Sequence, residues 1–381
     1  MTSAPAVPPV HPTLVVQTAF LGDVILTTPL LSVLAAEHGP VDVVTTPAAA
    51  ALLETHPAVR RVWRYDKRGR GRGLAGLRHL AAELRAEGFA RAVLPHGSWR
   101  SAALAKWAGI RHRIGFDDAP ARLTYTTRVP RPHGGHEAER LLALARGAGR
   151  RERGAGGPTP AVSLGITGED RAAADHWLAE HGVAPEFLAL APGSIWGTKR
   201  WGGYNELALR LVAGGRSVVL VGGPEDAALA AAVVAAGSGE RGAGNGRIVS
   251  AAGELPLRVS AALLERAEVL VTNDSAPLHL ATAVGTRIVA IFGPTVPEFG
   301  FGPRGPRDLV VEHVALDCRP CSRHGPRVCP LGHHRCMGEI GVERVLDAVA
   351  SRVEGQGSSE SGGESRAEAP APFDPRLTLD P

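Results

Sequence analysis

Four segments of this sequence carry residue types that can bind an anion or move a proton. The first runs from Val269 to Thr295, VLVTNDSAPLHLATAVGTRIVAIFGPT. Its apolar run stops at Thr272, and Asn273, Asp274 and Ser275 turn into a helix opened by Ala276 and Pro277. Proline suits a first helical turn, because the N–H it lacks would be unpaired there anyway. The remaining free N–H groups and the helix dipole make an anion site that a diphosphate would fit. His279, one turn in, is within reach of that anion. In a purely structural reading, Asp274 or Ser275 is an N-cap and His279 a packing residue.

The second segment, Leu188 to Leu211, runs from an apolar strand through Pro192-Gly193-Ser194 to Thr198, Lys199, Arg200 and Trp201. Two adjacent cations at a strand end suit a phosphate leaving group: Lys199 as a compact charge, Arg200 as a bidentate donor, with Ser194 and Thr198 beside them. The alternative is a solvated basic loop. In the third, Val218 to Leu229, Gly222 and Gly223 permit close backbone approach, and Glu225 near a helix start can accept hydrogen bonds from ribose hydroxyls or act only as a first-turn acid. The fourth, Thr13 to Leu34, carries Gly22 and places Asp23 at the start of the first helix, as a general base or a plain cap. The positive helix end there should lower the carboxyl's pKa and weaken it as a base.

These residues need strand-to-helix turns to hold them. The expected strands of the first half are Thr13–Thr18, Val41–Thr46, Ala92–Leu94 and Arg113–Phe116, with a helix over Asp23–Glu37 and loops at Lys67–Gly76 and Arg131–His136. In the second half they are Phe187–Ala191, Ser217–Val221, Arg247–Ser250, Glu268–Thr272 and Arg287–Phe292. Helices are expected over Glu169–His181, Gly203–Ala213, Pro224–Ala236, Val259–Arg266 and Ala276–Val284. Strands this uniformly apolar are covered by helices on both faces, and open α/β sheets bind ligands at their strand ends. Arg146–Pro160, rich in Gly, Arg and Pro, reads as an inter-domain break. The expected division is an N-terminal domain over 12–150, an inter-domain segment over 151–186 and a C-terminal domain over 187–336. A C-terminal helix over 337–354 and a disordered tail over 355–381 complete it.

At 381 residues and 44% hydrophobic side chains, the chain has room for two α/β domains. It holds no apolar stretch of about 18 residues, which excludes a membrane-spanning helix. Met1–Pro12 has four prolines and no basic start, unlike a signal peptide, so a cytoplasmic location is expected. Aromatic residues make up 4%, too few for a base-stacking nucleic-acid binder. Neither G-x-G-x-x-G nor a P-loop motif occurs. The net charge is only +4, yet ten Arg or Lys residues crowd Arg60–Arg91. They form a solvated basic face, or a patch for phosphates or an anionic membrane.

In combination the motifs are specific. Gly22–Leu26 (GDVIL), Arg113–Phe116 (RIGF), Pro192–Trp201, Val221–Glu225 (VGGPE), Asn273–Ala281 and Phe292–Thr295 (FGPT) occur in an order and spacing that resemble ADP-heptose:lipopolysaccharide heptosyltransferases, glycosyltransferase family nine. The segment Cys318–Met337 is similar to the heptosyltransferase II branch, and the resemblance covers Thr13 to Val353. It implies a GT-B fold, two Rossmann-like domains facing across a cleft. It also implies inverting, metal-independent transfer of heptose from ADP-heptose to a lipid A-core acceptor at the inner face of the inner membrane. By the same resemblance Asp23 is the base and Lys199 stabilises the departing phosphate. Glu225 contacts ribose, and Asp274, Ser275 and His279 hold the diphosphate. Ala276 departs from the glycine usual in the family. The rivals are a family-nine enzyme with another sugar or acceptor, a non-catalytic nucleotide-sugar-binding protein, and a sugar-nucleotide epimerase.

All four cysteines lie in one stretch: Cys318, Cys321, Cys329 and Cys336. Their spacing, with His324, His333 and His334 nearby, fits a structural zinc site or an iron–sulfur cluster, the alternative being reduced thiols in a folded loop. Catalysis itself needs no cofactor in this reading.

Overall fold

The computed structural model describes residues 12–67, 69, 71–149, 160–237 and 246–353. The first half contains β1 (Thr13–Val16), α1 (Leu21–Leu26), α2 (Thr28–His38), β2 (Val41–Thr45), α3 (Pro47–Leu53), β3 (Val59–Arg64) and α4 (Gly73–Ala86). It continues with β4 (Arg91–Leu94), α5 (Trp99–Trp107), β5 (His112–Phe116), β6 (Thr127–Val129) and α6 (Glu137–Gly147). The second half contains α7 (Gly168–Glu180), β7 (Phe187–Ala191), α8 (Tyr204–Ala213), β8 (Ser217–Leu220), α9 (Ala227–Gly237), β9 (Ile248–Ser250) and α10 (Leu257–Arg266). After these come β10 (Val269–Asn273), α11 (Ala276–Val284), β11 (Arg287–Phe292), β12 (Leu309–Glu312), α12 (Arg335–Gly338) and α13 (Val342–Val353).

Each half is one six-stranded sheet, and every strand pairing is parallel. The orders are β3-β2-β1-β4-β5-β6 and β9-β8-β7-β10-β11-β12, so both halves share one topology. That order reverses direction between the first and fourth strands of each sheet. The loops after β1, β4, β7 and β10 therefore flank the crevice where doubly wound sheets take ligands.

Several sequence expectations change here. The helix over Asp23–Glu37 is broken into α1 and α2 at Thr27. Pro29 cannot bond back to the Ile25 carbonyl, and the Thr28 hydroxyl takes that carbonyl at 2.8 Å. The edge strands β3 (VRRVWR) and β6 (TRV) escape the apolar pattern, because an edge needs fewer apolar positions, and β12 (LVVE) is a short apolar run not expected as a strand. Of the loop expected over Lys67–Gly76, Gly73 to Gly76 belong to α4, while Arg68 and Arg70 lie outside the described residues. Arg146 belongs to α6, and 150–159 and 354–381 also lie outside the described residues, as does the tail expected over 355–381. The helix expected over 337–354 is α12 followed by α13. Within the expected inter-domain segment, α7 packs on α10 through Arg171–Glu265, Asp170–Arg258 and Asp175–Arg266 ion pairs.

Much of the basic face over Arg60–Arg91 is already neutralised. Arg60 bonds Asp42 at 2.6 Å and Glu87 at 3.2 Å. Arg61 bonds Glu87 at 2.9 Å and lies over the Trp63 ring, and Arg64 pairs with Glu54. Asp42 is fully buried and also accepts from the Trp63 indole at 2.8 Å. This gives an ordering of two substitutions. Arg60→Ala strands a buried carboxylate, at a cost of about 3–5 kcal/mol. Asp42→Ala strands only an indole N–H, about 1–3 kcal/mol, since half-exposed Arg60 can rehydrate. Urea denaturation should find Arg60→Ala the less stable variant. The reverse order would mean that the carboxylate is not held by Arg60.

Candidate functional site

The two halves meet where α1 crosses α11. Ile25 and Leu26 of α1, with Leu52 and Ala138, belong to one apolar core with Leu278, Leu280 and Ala281 of α11. Gly22 makes the crossing possible: a Cβ there would lie 2.5 Å from the His279 ring. Further along the same seam, α6 bonds the 299–304 loop of the second half. The Glu137 N–H donates to the Gly300 carbonyl at 2.9 Å, Arg140 donates to the Phe299 carbonyl at 2.9 Å, and Arg304 pairs with Glu139 at 2.8 Å.

Between these contacts lies a cavity of roughly 300 Å³. Gly22 and Asp23 enter it from the turn after β1, Ser194 and Lys199 from the loop after β7, and Glu225 from the turn after β8. Asp274, Ser275, Ala276 and His279 enter from the β10–α11 turn. Nine of the twelve candidate residues thus share one cavity. The other three do not line it. The Thr198 hydroxyl donates to the Pro326 carbonyl. Arg200 donates through Nε to the Ser194 carbonyl at 2.8 Å. Asn273 is fully buried, donating to the Pro192 carbonyl at 2.9 Å and accepting from the Trp201 N–H at 3.2 Å. These three hold the loops that carry the cavity residues.

The charges are arranged in opposition. Lys199 Nζ donates to Asp274 Oδ2 at 2.6 Å, and the Thr295 hydroxyl donates to the same oxygen at 2.7 Å. Both side chains of the pair are nearly out of water. Among the described residues no side chain caps α11, so its first N–H groups remain available to a ligand. His279 is buried, and burial pushes its imidazole down to about 4, so it is neutral at pH 7. Its Nδ1 has no hydrogen-bond partner among the described residues, a buried polar atom that calls for one.

On the opposite wall, Asp23 Oδ2 accepts the Phe20 N–H at 3.1 Å. The depressed pKa expected from the helix end is corrected. Burial, reinforced by the negative charge of Glu137, pushes the Asp23 carboxyl up to about 6. Desolvation outweighs the backbone hydrogen bond because α1 has only six residues and a small dipole. Glu137 itself is buried between Arg131 at 2.5 Å and Arg140 at 3.2 Å. Sequence reasoning missed Glu137, because nothing in the motif pattern links residue 137 to residue 23. It also missed Asp226, Phe299, Phe301, Arg323 and His324 in the cavity wall.

The cysteines are all free thiols. Cys321 Sγ donates to the Cys318 carbonyl at 3.4 Å, and Cys318 Sγ lies 4.0 Å from His333 Nε2. Cys336 is buried in the second half's core beside Met337 and Ile340, and burial pushes its thiol up to about 11. Among the described residues no group of three or more His, Cys, Asp or Glu is arranged to hold a metal ion. Of the set expected from Cys318, Cys321, Cys329 and Cys336, Cys336 is buried and Cys321 is exposed.

Residues 77–331 match the family description "Glycosyltransferase family 9 (heptosyltransferase)". Lipopolysaccharide heptosyltransferase 2 of Escherichia coli K12 is 28% identical over 88% of this chain and 97% of its own. The crystal structure of the glycosyl transferase family 9 from Veillonella parvula DSM 2008 superposes with a TM-score of 0.76 at 25% identity, covering 90% of this chain and 97% of that one. The structure of the E. coli ADP-heptose lipopolysaccharide heptosyltransferase II superposes with a TM-score of 0.74 at 24% identity, covering 91% and 100%. The GT-B architecture expected from the motifs is the one these chains share. The chain belongs to glycosyltransferase family 9, the heptosyltransferase family, and is a glycosyltransferase.

Proposed function

We propose that this enzyme transfers heptose from ADP-heptose to the inner core of lipopolysaccharide, with inversion at the anomeric carbon. The single observation that carries the reading is the opposition within one cavity. A carboxylate of raised basicity, Asp23, faces the Lys199–Asp274 pair and the uncapped start of α11. The name of the full-length E. coli relative supports the sugar and the acceptor.

In this mechanism the diphosphate lies at the N-terminus of α11, held by the N–H groups around Ser275 and Ala276 and by neutral His279. Glu225 accepts hydrogen bonds from the ribose. The acceptor hydroxyl gives its proton to Asp23, and its oxygen attacks the anomeric carbon on the face opposite ADP. The bond from that carbon to the phosphate oxygen breaks, and ADP leaves with the electron pair. Lys199 and the α11 dipole stabilise the charge that builds on it. We assign the acceptor to the domain over 12–150 and the donor to the domain over 187–336. No described helix is long and apolar enough to cross a membrane. A lipid-linked acceptor then requires the enzyme to work at the cytoplasmic membrane surface.

Incubation with ADP-heptose and a heptose-bearing lipid A core should add one heptose, read by mass spectrometry. Turnover of ADP-heptose without acceptor dependence would count against transfer. Asp23→Ala should lower kcat about 10²–10⁴-fold, the usual worth of a general base, with ADP affinity nearly unchanged. Equal loss of both would make Asp23 a structural cap.

The pH profile gives a further check. A base must be ionised, so activity is lost as pH falls through the Asp23 value of about 6. Glu137 opposes that ionisation. Glu137→Gln should therefore move the acid limb of kcat/KM to lower pH, and an unmoved limb would remove Asp23 from the proton transfer.

A further inference from the structure

The segment between Arg319 and His334 is tied down at both ends. Arg319 is nearly buried and donates to the carbonyls of Gly293, His313 and Thr295 and to Glu312, the last at 2.7 Å. The Cys321 N–H donates to the Pro294 carbonyl at 2.9 Å. At the other end the Pro326 carbonyl accepts the Thr198 hydroxyl, and His334 Nε2 lies 2.7 Å from the Thr198 carbonyl. Between these anchors the segment folds over the cavity. Gly325, at φ +75°, sits so close to Lys199 that a Cβ there would lie 3.3 Å from the lysine Cε. His324 stands between Phe20 and Trp196, its ring 6.2 Å from each. Arg323, next to it, lines the cavity.

The charge balance gives Arg323 its meaning. The lining carries the carboxylates of Asp23, Glu225, Asp226 and Asp274 against two cationic side chains, Lys199 and Arg323. Lys199 already neutralises Asp274. Arg323 makes no hydrogen bond or ion pair among the described residues. A nucleoside diphosphate entering this cavity therefore meets, beside the Lys199–Asp274 pair, a second cation with no carboxylate partner among the described residues.

Resting on the nucleotide-sugar reading above, we infer that Arg323 is a donor-binding residue that clamps the diphosphate from the side opposite α11. The cysteine-bearing segment is then the strap that delivers it. The planar guanidinium can bond two phosphate oxygens at once. The strap's anchors, Arg319 and Thr198, are positioning residues for it.

The test is calorimetric titration of ADP into the full-length enzyme and its Arg323→Ala and Arg323→Gln variants. Losing a charge-assisted contact should raise the ADP Kd about tenfold or more in both, with the melting temperature unchanged because Arg323 is exposed. An ADP Kd within about twofold of the parent enzyme would overturn the clamp. So would a loss of affinity that tracks a loss of melting temperature, since that describes a scaffold residue. A parent enzyme that binds no ADP would defeat the nucleotide-sugar reading and the clamp with it. Normal parental binding with unaffected variants would defeat the clamp alone.

Discussion

A lysine ammonium and an aspartate carboxylate, 2.6 Å apart and both nearly out of water, hold the floor of the cavity. The two come from different loops, after β7 and after β10, and the pair exists only because those strands are neighbours at the point where the sheet order reverses. Neither charge would survive burial alone. Thr295 adds a third partner from the turn after β11, so three strand ends converge on one carboxylate oxygen. The loop carrying Lys199 is fixed from behind by Asn273, whose side chain bonds the Pro192 carbonyl and the Trp201 N–H. The ion pair is thus part of the fold as well as of the site.

Opposite it, the chemistry depends on the environment more than on the residue. Asp23 would be an ordinary carboxylate on an open helix end. In the seam between the halves it loses water and faces Glu137, and both effects favour the protonated form. The seam is set by Gly22 against His279 and by α6 against the 299–304 loop. The same packing that joins the halves therefore tunes the base. Packing two copies of one topology against each other through α1 and α11 brings a carboxylate from one copy and a helix N-terminus from the other into a single cavity.

Much of this was legible in the residues. The strands β7 and β11 and the helix α11 were read to the residue, because a fully buried parallel strand is a continuous apolar run and Pro277 marks a helix start. The edge strand β9 is legible, but β3 is not: Val59–Arg64 carries three arginines and reads as a basic patch until Asp42, Glu54 and Glu87 are seen beside it. Thr198, Arg200 and Asn273 hold loops and do not line the cavity, a distinction that sequence alone cannot make. The direction of the Asp23 shift is not legible locally, since it depends on burial and on Glu137, more than 100 positions away. Arg323 carried no signal at all. Its place depends on a hydrogen bond between Thr198 and Pro326, which no local pattern encodes.

In the proposed mechanism the diphosphate of the donor is held between the Lys199 loop and the start of α11. A crystal structure of the enzyme with ADP bound measures this most directly. The β-phosphate should lie within hydrogen-bonding distance of Lys199 Nζ and of the Ser275 or Ala276 N–H, with the ribose toward Glu225. ADP seated elsewhere, such as the groove lined by Arg78, Arg85 and Trp107, or a diphosphate facing away from α11, would contradict it.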